Sequence, residues 1–461
     1  MRVLLISSNT ATSPYPLYPL GLSMIASALK GAGHEVMQFD YLRSDTSLAA
    51  IEEAVRSFGP ELVGISMRNI DNVNFLAEVR YVDDVKNIVK KLRSLTDAKI
   101  VLGGAGFSLI PDALLQEIGA DYGIAGEGEA LIVDFAEKAE KGIYPEERIL
   151  GPEQRLVGEE IPSALYDGGL LDFYTSKGNI ASVQTKRGCS FHCVYCTYPL
   201  LEGHGIRPRS AERVVDDIVH LRDEHKVKYI FFIDSVFNDT EGKYLDVLRE
   251  MKRRDVFMPW TAFFRPEGLT PEVVALMKET GLVAAEIGTD AATDVTLRRM
   301  GKNFTMEDVR RTNDLMVEHG VSTAHFYMFG GPGETKETVL EGIENILSID
   351  KAVHFVFLGV RILPGSALYI QAVKDGLVQE GDRLVDSVYY FAPELDRKWA
   401  ENTLYEAFSG MRSVIYPPNA ADDKLRILHQ LGYSGPMWDL ILAAKSKRSR
   451  KTRESDSAGG R

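Results

Sequence analysis

The chain reads as an α/β protein built on parallel sheets, and three observations predict this. Short apolar runs alternate with helix-length amphipathic stretches along most of the sequence. Its glycine-rich turns fall where those apolar runs end, the edge at which open parallel sheets bind ligands. Its 461 residues exceed what one hydrophobic core ordinarily organises, so two or three domains are expected.

The elements follow in order. Val3–Ile6, Glu35–Phe39, Leu62–Ser66, Lys99–Gly103 and Tyr122–Ala125 read as strands. Between them lie helical stretches at Leu20–Lys30, Ser47–Phe58 and Val82–Leu95, with Ala130–Lys141 after the last strand. This predicts a doubly wound domain over residues 1–145. Its late strands end in Gly103-Gly-Ala-Gly-Phe-Ser and Gly126-Glu-Gly-Glu, where glycine lets a backbone approach a ligand closely. The loop after the first strand, Ser7-Ser-Asn-Thr-Ala-Thr-Ser, lacks the dinucleotide fingerprint expected there and has no acidic residues of a phospho-receiver.

Residues 146–178 read as a linker. From 179 to 370 the alternation resumes at longer spacing, with strands at Ile180–Thr185, Tyr229–Asp234, Pro259–Phe264, Ala284–Thr289, Thr323–Phe329 and His354–Ile362. Ser210 and Thr305 start helices, and Pro271 occupies a first turn. Six strands make a partial barrel, short of the eight of a closed one, with reactive residues expected at the strand carboxyl ends. Residues 371–442 carry helix patterns and aromatics and are expected to cap the barrel over a substrate pocket. Residues 443–461 read as a solvated basic tail.

All three cysteines, Cys189, Cys193 and Cys196, sit in the loop after the first barrel strand. Thiolates at that spacing imply a shared soft metal centre. A cubane of four irons takes four thiolates, so three leave one iron open to a small molecule, the mark of a reactive centre. The alternative is zinc held by the three cysteines and His192 or His204.

Net charge is −13, from 53 basic and 66 acidic residues, which argues against a general nucleic-acid binder. No eighteen-residue apolar run is present, and the absence of further cysteines fits a reducing cytosol.

The Cys-x3-Cys-x2-Cys loop after a barrel strand resembles the radical S-adenosylmethionine (SAM) superfamily, and the preceding glycine turns resemble cobalamin-binding domains. Together, over about residues 1–370, the chain resembles the cobalamin-dependent radical SAM enzymes of methylase type. The thiostrepton-pathway tryptophan methylase subgroup is similar in having an arginine beneath its cobalt. The resemblance implies a 4Fe–4S cluster on Cys189, Cys193 and Cys196 and a bound SAM. It also implies cobalamin held by Gly103, Gly104, Gly106, Ser108, Gly126, Glu127 and Gly128. No histidine lies in the first loop, which implies base-off cobalamin without a histidine ligand. Arg68 is then placed below the cobalt, or else pairs with Asp71 or a corrin amide. Tyr195 matches an aromatic near adenine, Asp234 and Ser235 a segment near the methionine amino group, and Asp290 a ribose contact. Gly331 lies in the adenine turn, and Arg361 is placed at the methionine carboxylate or the substrate. Arg265, Arg207 and Arg209 are further polar residues at strand ends, and Tyr327 or His325 is an acid or base candidate, with a core role as the alternative for His325.

The implied activity moves a methyl group from SAM by way of methylcobalamin to a carbon or phosphorus centre of a small, natural-product-like or peptide-derived substrate. A flavodoxin- or ferredoxin-type donor would supply electrons in the cytoplasm, without nucleic acid or membrane. The alternatives are polar methylation of an sp² carbon, a rearrangement or ring-forming reaction, and a non-catalytic cobalamin sensor or carrier.

Overall fold

The computed structural model describes residues 1–12, 15–178 and 180–443. The basic tail expected from 443 lies, from residue 444 on, outside the described residues. Two parallel sheets organise the chain, as the apolar runs predict.

The first sheet holds β1 (Arg2–Ser7), β2 (Glu35–Asp40), β3 (Leu62–Ser66), β4 (Lys99–Gly103), β5 (Tyr122–Ile124) and β6 (Ile149–Leu150) in the order β2-β1-β3-β4-β5-β6. Every pairing is parallel. The chain reverses direction across the sheet between β1 and β3, the switch point at which such sheets form a crevice. β6 falls in the stretch read as linker. Two residues carry no periodicity, so only the sheet reveals them.

The second sheet runs β7 (Ile180–Val183), β8 (Tyr229–Phe232), β9 (Trp260–Phe264), β10 (Ala284–Asp290), β11 (Ser322–Phe329), β12 (Ala352–Leu358) and β13 (Val414–Ile415), paired in that order and all parallel. Six strands form the expected partial barrel, and β13 extends its edge from the carboxy-terminal region. Helices pack outside, each begun where the sequence signals it. Ser210 accepts from the Arg213 amide, Thr270 precedes Pro271, and Thr305 and Asp308 close a capping box.

The carboxy-terminal region does two things. Tyr389 and Phe391 pack on Phe75 of the first domain near the barrel top. Further on, Gly435 donates its amide to Gly178 just before β7, and Trp438 packs on Phe355. That later segment covers the barrel floor.

Candidate active site

The cysteine loop leaves the carboxyl end of β7 and is bent by necessity. Gly188 has φ of 92°, and a Cβ there would lie 2.0 Å from the Gly205 carbonyl oxygen. Only glycine fits that approach. Loop amides then anchor it: Cys189 donates to Gly203, Val194 to Met300 and Cys196 to Cys193. Burial pushes the Cys196 thiol up to about 12 and raises Cys189 as well. Arg265 lies 3.9 Å from the Cys193 sulfur and stacks 3.6 Å over Phe191. Among the described residues no three His, Cys, Asp or Glu side chains are grouped to hold a single ion. His192 and His204 stack on one another. Three thiols on one loop match the donor set of a cluster that gives each thiolate its own iron.

Around the loop the candidates separate. Tyr195 donates to Asp290 at 2.5 Å, and Lys302 bonds both groups. Asp290 holds a positive φ of 65° at the end of β10. Lys302 carries no motif, and the sequence reading missed it. Ser235 donates to the Gly188 carbonyl, next to Cys189, and Gly331 lies against Met300. Within the same turn Glu334 accepts from the Gly330 amide and Thr338, and burial pushes it up to about 7.

Four expectations need correction. Asp234 is 1% exposed and accepts from the Thr185 amide and hydroxyl and from Lys186. It staples two strand ends and has no free oxygen edge for a ligand. Arg361 donates to Asp71 at 2.8 Å and to the Leu384 and Ile362 carbonyls, joining the first domain to the barrel. His325 and Tyr327 share the face of β11 that packs on the helices. His325 accepts from or donates to Thr289 and bonds Asn313, while burial holds it well below its ordinary range. Tyr327 is fully buried in the same layer, and burial raises its phenol. Strand alternation turned both away from the barrel interior.

A cavity of about 410 Å³ separates the two sheets' carboxyl edges. Gly103, Gly104, Ser108, Gly126, Glu127 and Gly128 border it from the first domain. Gln184, Arg187, Tyr198 and Glu202, flanking the cysteine loop, border it from the barrel. Ser108 links the two glycine turns by accepting from Gly126 and donating to Gly104. Gly106 does not border it. A Cβ there would meet the Asn69 backbone at 2.9 Å, so its glycine serves loop packing. Glu127 is claimed by Arg207 and by the Leu156 amide.

Arg68 projects into this cavity. It has no hydrogen-bond or ion-pair partner among the described residues, since Asp71 is taken by Arg361, Ser387 and the Val73 amide. Asn9, 7% exposed, also borders the cavity, and both its amide atoms lack partners. Buried polar atoms are rarely left so. No histidine is among the lining residues. The donor set fits cobalamin: glycine turns that permit close approach, an orphan amide for a ring substituent, and a cation without a partner among the described residues.

Comparison with known proteins agrees with these geometries. Residues 6–136 match the B12-binding domain, and residues 183–346 match the radical SAM superfamily. The fold superposes on the radical SAM methyltransferase TsrM of Kitasatospora setae, solved with tryptophan substrate and a SAM analogue. The TM-score is 0.84 and the identity 24%, covering 100% of both chains. That protein has also been solved with cobalamin and a 4Fe–4S cluster bound. The chain is 25% identical over 427 residues to the tryptophan 2-C-methyltransferase of Streptomyces laurentii, covering 76% of this chain and 71% of that one. It is 24% identical over 471 residues to the cytidylyl-2-hydroxyethylphosphonate methyltransferase of Streptomyces wedmorensis, covering 84% of each. The chain thus joins a B12-binding domain to a radical SAM domain. It carries the two domains that cobalamin-dependent radical SAM enzymes combine, and it is similar in sequence to methyltransferases. No helix among the described residues is long and apolar enough to cross a membrane.

Proposed function

We propose that this enzyme transfers a methyl group from SAM, through base-off cobalamin, to a carbon or phosphorus centre of a small or peptide-derived natural-product-type substrate. It would work in the cytoplasm with a flavodoxin- or ferredoxin-type reductant. The observation that carries the reading is Arg68, unpartnered in a cavity that the glycine turns and the cysteine loop border together. When bound, cobalamin supplies a metal able to carry a methyl group, and the cluster supplies a binding and reducing centre for SAM.

The chain's own residues then have defined tasks. Cys189, Cys193 and Cys196 hold the cluster, and Arg265 places positive charge beside the Cys193 thiolate. Gly103, Gly104, Gly126 and Gly128 admit the cobalamin side chains against the backbone, while Ser108 fixes the two turns relative to one another. Arg68 would set a positive charge in the cavity that takes the cobalamin. Tyr195 and Lys302 orient Asp290, whose remaining acceptor capacity suits SAM hydroxyls. Apolar side chains such as Leu20, Leu22, Leu102 and Ile124 keep water from the cavity.

Arg68 also supports a second reading, polar transfer to an sp² carbon without a substrate radical. A weakly ligated metal suits two-electron methyl transfer, and one relative is named for methylation at carbon 2 of tryptophan, an sp² carbon. The test reconstitutes the protein anaerobically with cluster, cobalamin and methyl-labelled SAM and offers a substrate library. Labelled product with S-adenosylhomocysteine supports methyl transfer. Equal 5′-deoxyadenosine indicates the radical route, and its absence indicates the polar one. Deoxyadenosine without labelled product would overturn methyl transfer in favour of rearrangement or ring formation.

A further inference from the structure

Inside the partial barrel, three polar groups meet among aromatic rings. Glu286, on β10, is 4% exposed and stands in register with Phe263 of β9, which borders the interdomain cavity. Among the described residues its one hydrogen bond comes from the Tyr15 hydroxyl at 3.0 Å. Tyr15 belongs to the loop after β1, whose next residues, Leu17 to Leu20, border the same cavity. Tyr229 faces the same interior from the start of β8, 5% exposed and beside Thr261, and among the described residues its hydroxyl has no hydrogen-bond partner of good geometry.

The contrast with the other buried acids is chemical. Asp71, Glu127, Glu129, Asp234 and Asp290 each pair with a lysine or arginine. Glu334, which has no cation, receives a backbone amide and a hydroxyl. Glu286 has neither a cation nor an amide, and an orphan phenol stands nearby. A carboxyl and a hydroxyl left unmatched in apolar surroundings contribute little to the fold, and they suit recognition of a ligand that brings its own donor. Burial pushes Glu286 up to about 7, in keeping with a site that lacks a countercharge.

We propose that Glu286, Tyr15 and Tyr229 form the polar end of the acceptor pocket, which takes an apolar substrate through a nitrogen that donates a hydrogen bond, either an ammonium or a ring N–H. The proposal rests on the methyl-transfer reading only for the pocket's role. Its test is a binding measurement that needs no turnover, so failure of methyl transfer, read from S-adenosylhomocysteine, is a separate result.

The probes are 2-phenylethylamine, indole and benzothiophene, titrated into the cluster- and cobalamin-loaded protein by ligand-observed NMR. They carry an ammonium, a ring N–H and neither. The expected result is that one nitrogen probe binds about tenfold more tightly than benzothiophene, the scale of one matched donor in a buried site. Glu286→Gln removes that advantage for the ammonium, and Glu286→Leu removes it for both. Tyr229→Phe removes a hydroxyl with no intramolecular bond, so it folds normally and weakens the nitrogen probe alone. The proposal is overturned if neither nitrogen probe outbinds benzothiophene, if no probe binds, or if the advantage survives Glu286→Leu and Tyr229→Phe.

Discussion

Arg361 and Arg68 both lie at or just beyond strand carboxyl ends and both read as ligand-binding residues in the sequence, yet the fold treats them oppositely. Arg361 is 5% exposed and saturated by Asp71 and two carbonyls. Arg68 opens into the interdomain cavity with no partner among the described residues. The same split runs through the site. Its rim, from the cysteine loop to Asp234, Asp290 and Glu127, is internally matched. Its cavity and barrel interior, at Arg68, Asn9 and Glu286, are not. Matched groups hold the cofactor framework in place, and unmatched ones are available to what enters. Changes at the rim therefore reach stability and cofactor content, whereas changes in the cavity reach ligands.

The largest effect is expected on the rim. Cys193→Ser removes one of three thiolates, so iron per chain falls below a quarter of wild type after anaerobic reconstitution, by roughly the loss expected when a cluster loses a ligand. Methyl transfer falls about a thousandfold or more. Retention of full iron by this variant would sink the cluster assignment. Next in size is Arg361→Leu, which strands Asp71 as a buried, unpaired charge and is expected to cost about 3–5 kcal/mol in denaturant unfolding. The double variant Arg361→Leu with Asp71→Leu recovers most of that loss. If the single variant is neutral, the contrast with Arg68 fails.

How much of this was legible depended on what each signal encodes. Both sheets were readable because parallel strands buried on two faces leave continuous apolar runs, and because Ser210, Thr305 and Pro271 mark helix starts in the sequence. β6 and β13 were not, since a two-residue strand has no period. The cysteines were readable from spacing, and Tyr195 from the resemblance that their loop carries. Asp234, Arg361 and Tyr327 were placed on the correct strands but given tasks their partners rule out, whereas His325 follows the core alternative. Position along a strand does not say which partner a charge finds, as with Lys186 for Asp234 and Asp71 for Arg361. Nor did it show that odd-numbered residues of β11 face the helices. Lys302, Asn9 and Glu286 belong to no motif, and what singles them out is only the company they keep in space.

An intermediate effect comes from pH. Glu286 and Glu334 each take up a proton at about 7 in the fold, against an ordinary 4.5, because burial disfavours their charged forms. Between those values the folded chain binds more protons than the unfolded one, so stability falls as pH rises from about 4.5 to about 7. The stabilising contribution is complete below 4.5. Each group accounts for about 1–3 kcal/mol of that decline. Glu117 and Asp308 act in the opposite sense. Hydrogen bonds from Lys86 and from the Thr305 amide hold their carboxyls low, so their contribution is lost only as pH falls below the usual carboxylate range. Glu286→Gln and Glu334→Gln should each flatten the decline above pH 4.5 in denaturant midpoints. An unchanged slope in both would show that these carboxyls are matched after all.

The smallest change in stability is expected at Arg68, and there the comparison is sharpest. Its guanidinium makes no intramolecular bond to lose, so Arg68→Leu should shift the unfolding free energy by no more than about 0.5 kcal/mol. Arg68→His shortens the side chain but offers a neutral imidazole nitrogen, an able metal ligand, where a guanidinium has none to give. With cobalamin added, the histidine variant should change the visible absorption spectrum toward a six-coordinate cobalt, while the leucine variant should not. Methyl transfer should fall in both, more in the histidine variant, because an imidazole nitrogen would ligate a metal that a guanidinium cannot. A histidine variant with a spectrum identical to wild type would place Arg68 away from the metal, and its freedom in the cavity would then have to be explained by the substrate.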